Sequence, residues 1–379
     1  MKEMNDEVNR RVLVLGKGKS GEAAAKLAEA DGKSVDFADG VGLVVASPGV
    51  RVMSELEFGC RALRRLGVKM LAVTGSKGKS SVVKLVADAL NLAGLHATPC
   101  GNYGLPVSEL ANRLATCDLR PATQEWAVVE VSSFMMETTN LPPDTFEAAA
   151  ILNLQEDHLD RHGSVEVYHA LKRKLLFSAK KQIVGVDRQP VCDKLLKGSY
   201  FDNDVLRTNG AIAVELMRTA GLGDDEINRA FMEFEPLTHR MQAVADIDGV
   251  RYVDDSKATS IAALMAGVVM ACGNVRLIAG GLDKGDDPKT ASSLLTKRVK
   301  KVYLIGRCAE EFRSAWSDAV DCEVCETMER AVEAAKREAE KGDTVLLSPG
   351  TASFDQFKSF GERGDVFASL VKKEGQKTK

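Results

Sequence analysis

The stretch Val73-Thr-Gly-Ser-Lys-Gly-Lys-Ser-Ser81 decides how the middle of the chain folds. It follows an apolar run, Lys69–Thr74, which is typical of a buried strand. It precedes Ser81–Leu92, where apolar residues recur at helical spacing. A strand, a glycine-rich turn and a helix together form a phosphate cradle, because the turn N–H groups and the positive helix end face one anion. The sequence therefore predicts a nucleotide phosphate site.

Two side chains of this turn have the chemistry that a bound nucleotide needs. Lys79 would place a positive charge near the outer phosphates, and Ser80 would place its hydroxyl on Mg²⁺. The spacing is Gly-x-x-Gly-Lys-Ser, two residues shorter than the common phosphate-loop pattern. Because strand and helix flank the turn in the right order, we favour a phosphate site over a solvated, lysine-rich turn.

The composition excludes several classes of protein. The chain has 379 residues, 45% of them hydrophobic, so two or three ordinary domains are expected. A net charge of −3 gives no reason to expect a nucleic acid or an anionic membrane as partner. The longest apolar run, Ile261–Cys272, is too short to cross a bilayer, and residues 1–7 resemble no secretory signal. The eight cysteines are expected to be free cytosolic thiols.

The amino-terminal region carries a second nucleotide-binding pattern. A predicted strand, Arg11–Leu15, runs into Gly16–Gly21, a full Gly-x-Gly-x-x-Gly, and a helix is predicted over Glu22–Asp31. The next predicted strand, Ser34–Ala38, ends at Asp39, about 20 positions past the glycines, where a ribose-binding acid is expected. The pattern indicates a bound nucleotide without saying which one.

The link between this second strand and a third apolar segment, Gly42–Ala46, is too short for a regular doubly wound sheet. Parallel crossovers need about a dozen residues, whereas four residues span at most roughly 14 Å. The pair Asp39-Gly40 favours a two-residue hairpin. We therefore expect an antiparallel pair or the loss of one strand, in a shortened first domain.

Strands and helices alternate through the rest of the chain, which is typical of parallel sheets covered by helices on both faces. Central strands are predicted over Ala127–Val131, Ala148–Asn153 and Gln182–Val186, with a helix over Val165–Ser178. Later strands are predicted at Val250–Val253, Val275–Ala279, Val302–Ile305 and Thr344–Leu347. The fold class is thus α/β with three domains: a small, shortened Rossmann-like domain (1–69), a central P-loop-type ATPase domain (70–236) and a carboxyl-terminal Rossmann-like domain (237–379).

Polar residues at the carboxyl ends of the central strands are candidate site residues, because ligands bind at that edge of a parallel sheet. Glu130 can hold Mg²⁺ directly or through water. His158 taken alone would be a hydrogen-bonded structural residue. Lys172, considered by itself, would belong to a solvated basic face, because Arg173 and Lys174 follow it in the sequence.

Together these segments resemble the Mur ligases of peptidoglycan synthesis. The matching segments are Thr74–Ser80, Gly101–Pro106, Glu130–Phe134, Ile151–His158, Tyr168–Lys172, His239-Arg240, Asp255–Ser260 and Ser348–Phe357. The last two resemble the members that add D-glutamate. The resemblance implies a cytoplasmic, monomeric ligase whose substrates are ATP, D-glutamate and UDP-N-acetylmuramoyl-L-alanine, with no nucleic acid or membrane partner. The reaction would pass through an acyl phosphate, with Mg²⁺ and lysine screening the anionic reactants.

The resemblance also implies the role of each site residue. The catalytic residues would be Lys79, His158 and Lys172, the last as a carbamate, because a protonated lysine cannot ligate a metal. Two Mg²⁺ sites would use Ser80, Glu130, His158 and Lys172. ATP would contact Gly75, Ser76, Lys77, Gly78, Lys79, Ser80, Ser81, Asn209, Arg240, Asp255 and Lys257. The other substrates would contact Gly18, Ser20, Asp39, Ser47, Asn102, Thr259, Lys284, Ser353, Phe354 and Phe360.

The chain departs from the family pattern in two short segments, Ser76-Lys77 in the phosphate loop and Val205-Leu206 upstream of Asn209. The shortened first domain further implies that UDP binds more weakly than ATP.

Two other classes of protein remain as alternatives. A nicotinamide-dependent oxidoreductase would explain Gly16–Gly21 but not the phosphate loop. A ligase-derived regulator without catalytic activity would bind nucleotide without turnover. A folate-polyglutamate-type ligase would share the phosphate loop, but it would not explain the match to the family over Ser348–Phe357.

Overall fold

The computed structural model describes residues 11–39, 52–116, 124–185 and 190–373. The chain divides into two units between Phe234 and Glu235. Within the described residues, both units are built from β-strands and α-helices, and all strand pairs but one are parallel. The α/β class predicted from the alternation is therefore confirmed.

The first unit begins with a parallel strand pair, β1 (Arg11–Leu15) and β2 (Ser34–Ala38), joined by helix α1 (Lys19–Ala30). The helix begins at Lys19 rather than at the predicted Glu22, with Gly18 as its N-cap. The predicted third strand, Gly42–Ala46, lies outside the described residues, so the hairpin expected there stays a prediction.

A five-stranded parallel sheet forms the centre of the first unit, in the order β4-β5-β3-β6-β7. Its strands are β3 (Lys69–Thr74), β4 (His96–Gly101), β5 (Glu125–Glu130), β6 (Phe146–Ile151) and β7 (Ala179–Val184). Along β3, Leu71 and Val73 face one buried core, whereas Met70 and Ala72 face the other. This alternation of apolar side chains explains why helices cover both faces.

Helices precede, connect and follow these strands. They are α2 (Glu55–Arg65), α3 (Lys79–Leu92), α4 (Val107–Thr116), α5 (Ser133–Glu137), α6 (Leu159–His162), α7 (Val165–Lys174), α8 (Pro190–Leu196), α9 (Arg207–Thr219) and α10 (Asp224–Met232). The helix predicted over Val165–Ser178 is α7 followed by a 3₁₀ turn, Leu175–Ser178. Helix α3 starts directly after the glycine-rich turn, which confirms the strand–turn–helix order.

The second unit contains a six-stranded sheet in the order β12-β11-β10-β13-β9-β8, in which only β8 and β9 pair antiparallel. The strands are β8 (Gln242–Ile247), β9 (Val250–Asp254), β10 (Asn274–Gly280), β11 (Val299–Ile305), β12 (Asp321–Glu326) and β13 (Asp343–Leu347). The helices are α11 (Ile261–Met270), α12 (Ser292–Arg298), α13 (Ala309–Trp316), α14 (Met328–Glu338) and α15 (Phe360–Lys372). No helix among the described residues is long and apolar enough to cross a membrane.

Candidate active site

The glycine-rich turn after β3 requires glycine at two positions. Gly75 has φ +152°, and Gly78, the N-cap of α3, has φ +84°. A Cβ on Gly78 would lie 2.2 Å from Asn209 Nδ2, which real side chains never tolerate. Asn209, at the start of α9, therefore packs directly on the loop backbone, whereas its contact with ATP stays a prediction.

The residues that follow β6 hold the phosphate loop in place. Asn153 uses its whole side-chain amide on Lys77: its Oδ1 accepts from Lys77 N (2.9 Å), and its Nδ2 donates to Lys77 O (2.9 Å). Ser76 Oγ donates to Gln155 O (2.9 Å) and accepts from Gln155 N (3.0 Å). The loop shape is thus fixed by the neighbouring strand end before any nucleotide binds.

Two lysines converge on one carbonyl of the loop. Lys79 Nζ donates to Gly75 O (2.8 Å) and to Ser76 O (3.1 Å), and Lys172 Nζ donates to Gly75 O (2.9 Å). Lys172 is 1% exposed, so it is not part of a solvated basic face as its neighbours in the sequence suggest. Burial, and secondly the charge of Lys79, lower the pKa of Lys172 to about 7.

Glu130 ends β5 with one carboxylate oxygen paired and the other without a partner. Asn102 Nδ2 donates to Glu130 Oε1 (2.7 Å), and the Asn102 N–H donates to Glu130 O (2.9 Å). Glu130 Oε2 is buried and has no hydrogen-bond partner among the described residues. A buried carboxylate oxygen without a partner is costly, so this atom fits a cation ligand. Asn102, predicted to touch substrate, also orients this carboxylate.

His158 precedes α6 in the left-handed region, with φ +53°. Its side chain is 45% exposed, and its ring centroid lies 4.9 Å from that of Phe134. Tyr168, on α7, is buried and donates from its hydroxyl to Ser76 Oγ (3.1 Å). His158, Glu130 and Lys172 therefore lie on elements that meet at the same edge of the sheet.

Three of the predicted uridine-binding residues, Gly18, Ser20 and Asp39, lie at the carboxyl end of the β1–β2 pair. Gly16 N donates to Ala38 O (2.8 Å), and a Cβ on Gly21 would lie 2.0 Å from Gly16 O. Gly18 and Ser20 are at the start of α1, and Asp39 is exposed after β2. Ser47 lies outside the described residues.

In the second unit, Asp255 is the most perturbed of the predicted residues. Burial raises its pKa to about 7. Its carboxylate accepts from Ser348 Oγ (2.9 Å) and from Met241 N (3.3 Å). These bonds join the ends of β9 and β13, which carry two of the segments that resemble D-glutamate ligases.

Other predicted residues of this unit lie on the loops at the same sheet edge. Lys257 Nζ lies 3.7 Å from the ring centroid of Phe360. Ser353 is buried, whereas Lys284 and Phe354 are exposed. Arg240 and Thr259 are half-buried. The structure places Lys257 and Phe360 together.

Sequence reasoning missed a buried cation, Arg363 of α15. It is 1% exposed and donates to Ser256 Oγ (3.0 Å), Ser256 O (3.0 Å), Thr351 O (3.1 Å) and Ala352 O (3.2 Å). Burial lowers its pKa to about 10. The signal in the sequence was weak, because an arginine on a helix is usually solvated.

Comparisons with known proteins identify the family to which the chain belongs. Residues 73–200 match the Mur ligase middle domain, and residues 239–350 match the Mur ligase, glutamate ligase domain. The UDP-N-acetylmuramoylalanine--D-glutamate ligase of Koribacter versatilis is 32% identical over 470 positions, which include 99% of this chain and all of that ligase. The enzyme of the same name from Thiobacillus denitrificans is 34% identical, covering 92% of this chain and 84% of its own length.

Solved structures share the fold at low sequence identity. The MurF ligase of Thermotoga maritima, in complex with ADP, has a TM-score of 0.60 at 16% identity, covering 96% of this chain and 95% of its own. The bifunctional folylpolyglutamate synthase/dihydrofolate synthase of Yersinia pestis, with AMPPNP and Mn, has a TM-score of 0.56 at 18% identity, covering 86% and 95%.

Proposed function

The chain belongs to the Mur ligase family, and from this premise we propose that it joins D-glutamate to UDP-N-acetylmuramoyl-L-alanine at the expense of ATP in peptidoglycan synthesis. One observation carries the proposal most directly. Around the phosphate loop, Lys79 and Lys172 both point at Gly75 O, and the buried Glu130 Oε2 has no partner among the described residues. This is a site prepared for phosphate and a cation.

The donor set of this site fits Mg²⁺. A carboxylate and a hydroxyl are ligands that Mg²⁺ prefers, and Glu130 and Ser80 supply them. Among the described residues, no three His, Cys, Asp or Glu side chains are grouped to hold a metal. His158 and a carbamylated Lys172 would therefore complete the proposed pair of Mg²⁺ sites. Bound Mg²⁺ would neutralise the charge that develops on the transferred phosphoryl group.

Lys172 is suited to carbamylation, because burial shifts its pKa to about 7. At neutral pH a large share of the side chain is then the neutral amine. The amine nitrogen attacks CO₂, an N–C bond forms, and one proton leaves to solvent. The product is an anionic carbamate, which has the oxygen ligands that an ammonium group lacks.

The ligation itself proceeds in two displacements. A carboxylate oxygen of the muramoyl-alanine attacks the γ-phosphorus, and the bond to ADP breaks. The D-glutamate amine then attacks the acyl carbonyl, phosphate leaves, and the nitrogen loses a proton. Lys79 stabilises the negative charge on the outer phosphates during the first step, when the two reacting groups repel each other.

The remaining residues are assigned to the three substrates. UDP binds in the domain over residues 1–69, through Gly18, Ser20, Asp39 and Ser47, with Asn102 near the sugar. ATP, bound by the loop Gly75–Ser81, also contacts Asn209, Arg240, Asp255 and Lys257. D-glutamate binds in the domain over residues 237–379, through Thr259, Lys284, Ser353, Phe354 and Phe360. The enzyme acts as a cytoplasmic monomer.

An amino-acid panel tests this function. With ATP, Mg²⁺ and UDP-N-acetylmuramoyl-L-alanine present, D-glutamate should release phosphate far faster than L-glutamate or L-alanine. Lys79→Ala, which removes a half-buried charge from the phosphate loop, should abolish release while the fold persists. Equal use of L-glutamate would refute the amino-acid pocket. Turnover seen only as a nicotinamide absorbance change would favour an oxidoreductase instead.

A further inference from the structure

We infer that His162, the last residue of α6, is a positioning residue for the proposed metal ligands Glu130, His158 and Lys172; the inference rests on the proposed function. The His162 side chain is 2% exposed, so it is too enclosed to touch a substrate. Its contacts instead join the three elements that carry these ligands. Outer residues of this kind orient metal ligands and tune metal affinity.

The imidazole of His162 is fixed against both ends of α5. Nε2 lies 3.0 Å from Ser133 Oγ, and Nδ1 lies 3.4 Å from Glu137 Oε1. Arg161 donates to both oxygens of Glu137 (3.1 and 2.8 Å), which holds that carboxylate in place. A carboxylate beside Nδ1 favours the proton there, so Nε2 accepts from the Ser133 hydroxyl. Since α5 starts three residues after Glu130, this contact fixes the end of β5.

The same ring supports the helix that carries Lys172. The ring centroids of His162 and Tyr168 are 5.5 Å apart, at an interplanar angle of 33°. Lys172 Nζ lies 4.5 Å from the Tyr168 ring centroid, and the Tyr168 hydroxyl donates to Ser76 Oγ. Tyr168 is thus held between His162 and the phosphate loop. Loss of the His162 ring would release the surface against which Lys172 is placed.

His162 also closes the turn that begins at His158. Its N–H donates to His158 O (3.0 Å), and His158 has φ +53°, a conformation that a non-glycine residue rarely adopts. The Phe134 ring lies 4.9 Å from the His158 ring and 5.3 Å from the His162 ring. A rigid His162 therefore stabilises an otherwise unfavourable backbone at a proposed ligand.

The order Ser133, His162, Glu137 is also the order of a nucleophilic triad, so a hydrolytic role has to be weighed. A triad serine must reach a substrate carbonyl. Ser133 is 2% exposed and lies at the start of a helix packed under the site. Its hydroxyl cannot meet a substrate, which leaves positioning as the role of the three residues.

The affinity of the protein for Mn²⁺ with ADP, measured by calorimetry without turnover, tests the inference. His162→Phe keeps a ring against Tyr168 but loses both polar contacts. We expect it to weaken Mn²⁺ binding about 10-fold, as outer residues of metal sites do. Val167→Ala is the matched control, because Val167 is exposed on α7 beside Tyr168 and its side chain is not one of the contacts of His162. Its affinity should stay near that of the unchanged protein.

Ser133→Ala keeps the test decisive if His162→Phe fails to fold, because it removes a single hydroxyl. It should weaken Mn²⁺ binding in the same direction by a smaller factor. Unchanged affinity in folded His162→Phe or in Ser133→Ala would overturn the inference, as would a protein that binds no Mn²⁺ with ADP. Absence of D-glutamate-dependent phosphate release beside the expected affinity losses would instead count against the proposed function alone.

Discussion

Each unit contains a cation that is almost completely buried, and the two cations are bonded differently. Lys172 in the first unit and Arg363 in the second are both 1% exposed. Arg363 donates to four acceptors on two loops, whereas Lys172 donates to Gly75 O alone among the described residues. Burial lowers the pKa of Lys172 to about 7 and that of Arg363 to about 10. A buried cation with few acceptors loses its proton more readily than one with several, and the four bonds of Arg363 stabilise the fold.

This difference assigns chemistry to one cation and structure to the other. Carbamylation is proposed for the neutral form of the Lys172 amine, and its side chain lies at the phosphate loop. Arg363, with four of its five N–H groups donating, fixes the segments around Ser256 and Thr351 relative to each other. Changes at the two positions should therefore separate loss of activity from loss of stability.

The largest effect is expected from Lys172→Ala. Loss of a preorganised charged group at a reacting phosphate typically costs about 10³-fold in rate. We expect turnover to fall by that order while the folded structure persists, since no bonded network depends on Lys172. Added formate or acetate should restore part of the activity, because a small acid can take the place of the carbamate. Phosphate release at saturating substrates is the measurement, and near-normal turnover in the variant would contradict the assignment.

Arg363→Met should act on stability first. The change leaves the carbonyls of Ser256 and Thr351 buried without a donor, at about 1–3 kcal/mol each, whereas Ala352 O keeps its bond from Leu282 N. We expect the second unit to unfold at lower denaturant, with a loss of at least about 2 kcal/mol. Arg363→Lys, which restores the charge and some donors, should lose less. Equal stability of Arg363→Met and the unchanged protein would show that these bonds contribute little.

Lys172 should also change how the free energy of unfolding depends on pH, which is a smaller effect than the two above. An unfolded lysine has a pKa near ~10.4, whereas the folded pKa is about 7. Between these values the unfolded chain binds the proton and the folded chain does not, so the free energy of unfolding rises with pH. Lys172→Met lacks this contribution. In CO₂-free buffer, the stability difference between the two proteins should shift by roughly 2–4 kcal/mol from pH 7 to 10. Parallel curves would contradict the lowered pKa.

The sequence predicts the inner strands well because they are buried on both faces. The run Lys69–Thr74 is β3 without correction. Three strands escaped prediction, β4, β8 and β12, and all lie at sheet edges. Edge strands are half-exposed, so polar residues interrupt the apolar pattern, as in Asp321-Cys-Glu-Val-Cys-Glu326. The phosphate loop could be predicted because its residues are adjacent in the sequence.

Contacts between distant residues could not be predicted in the same way. Lys172 is followed by Arg173 and Lys174, which suggests a solvated face. Of these three residues of helix α7, however, only Lys172 is buried. The contact of His162 with Ser133 joins positions 29 apart. Such pairs depend on how helices pack on the sheet, and local spacing does not carry that information.

Carbamylation of Lys172 is the most direct test of the contrast between the two cations. The protein, incubated with ¹³C-bicarbonate, ADP and Mg²⁺, should give one protein-bound carbamate signal by ¹³C NMR. The signal should disappear in Lys172→Ala and persist in Arg363→Lys. Absence of the signal in the unchanged protein, or its persistence in Lys172→Ala, would contradict the assignment of Lys172 as the reactive cation.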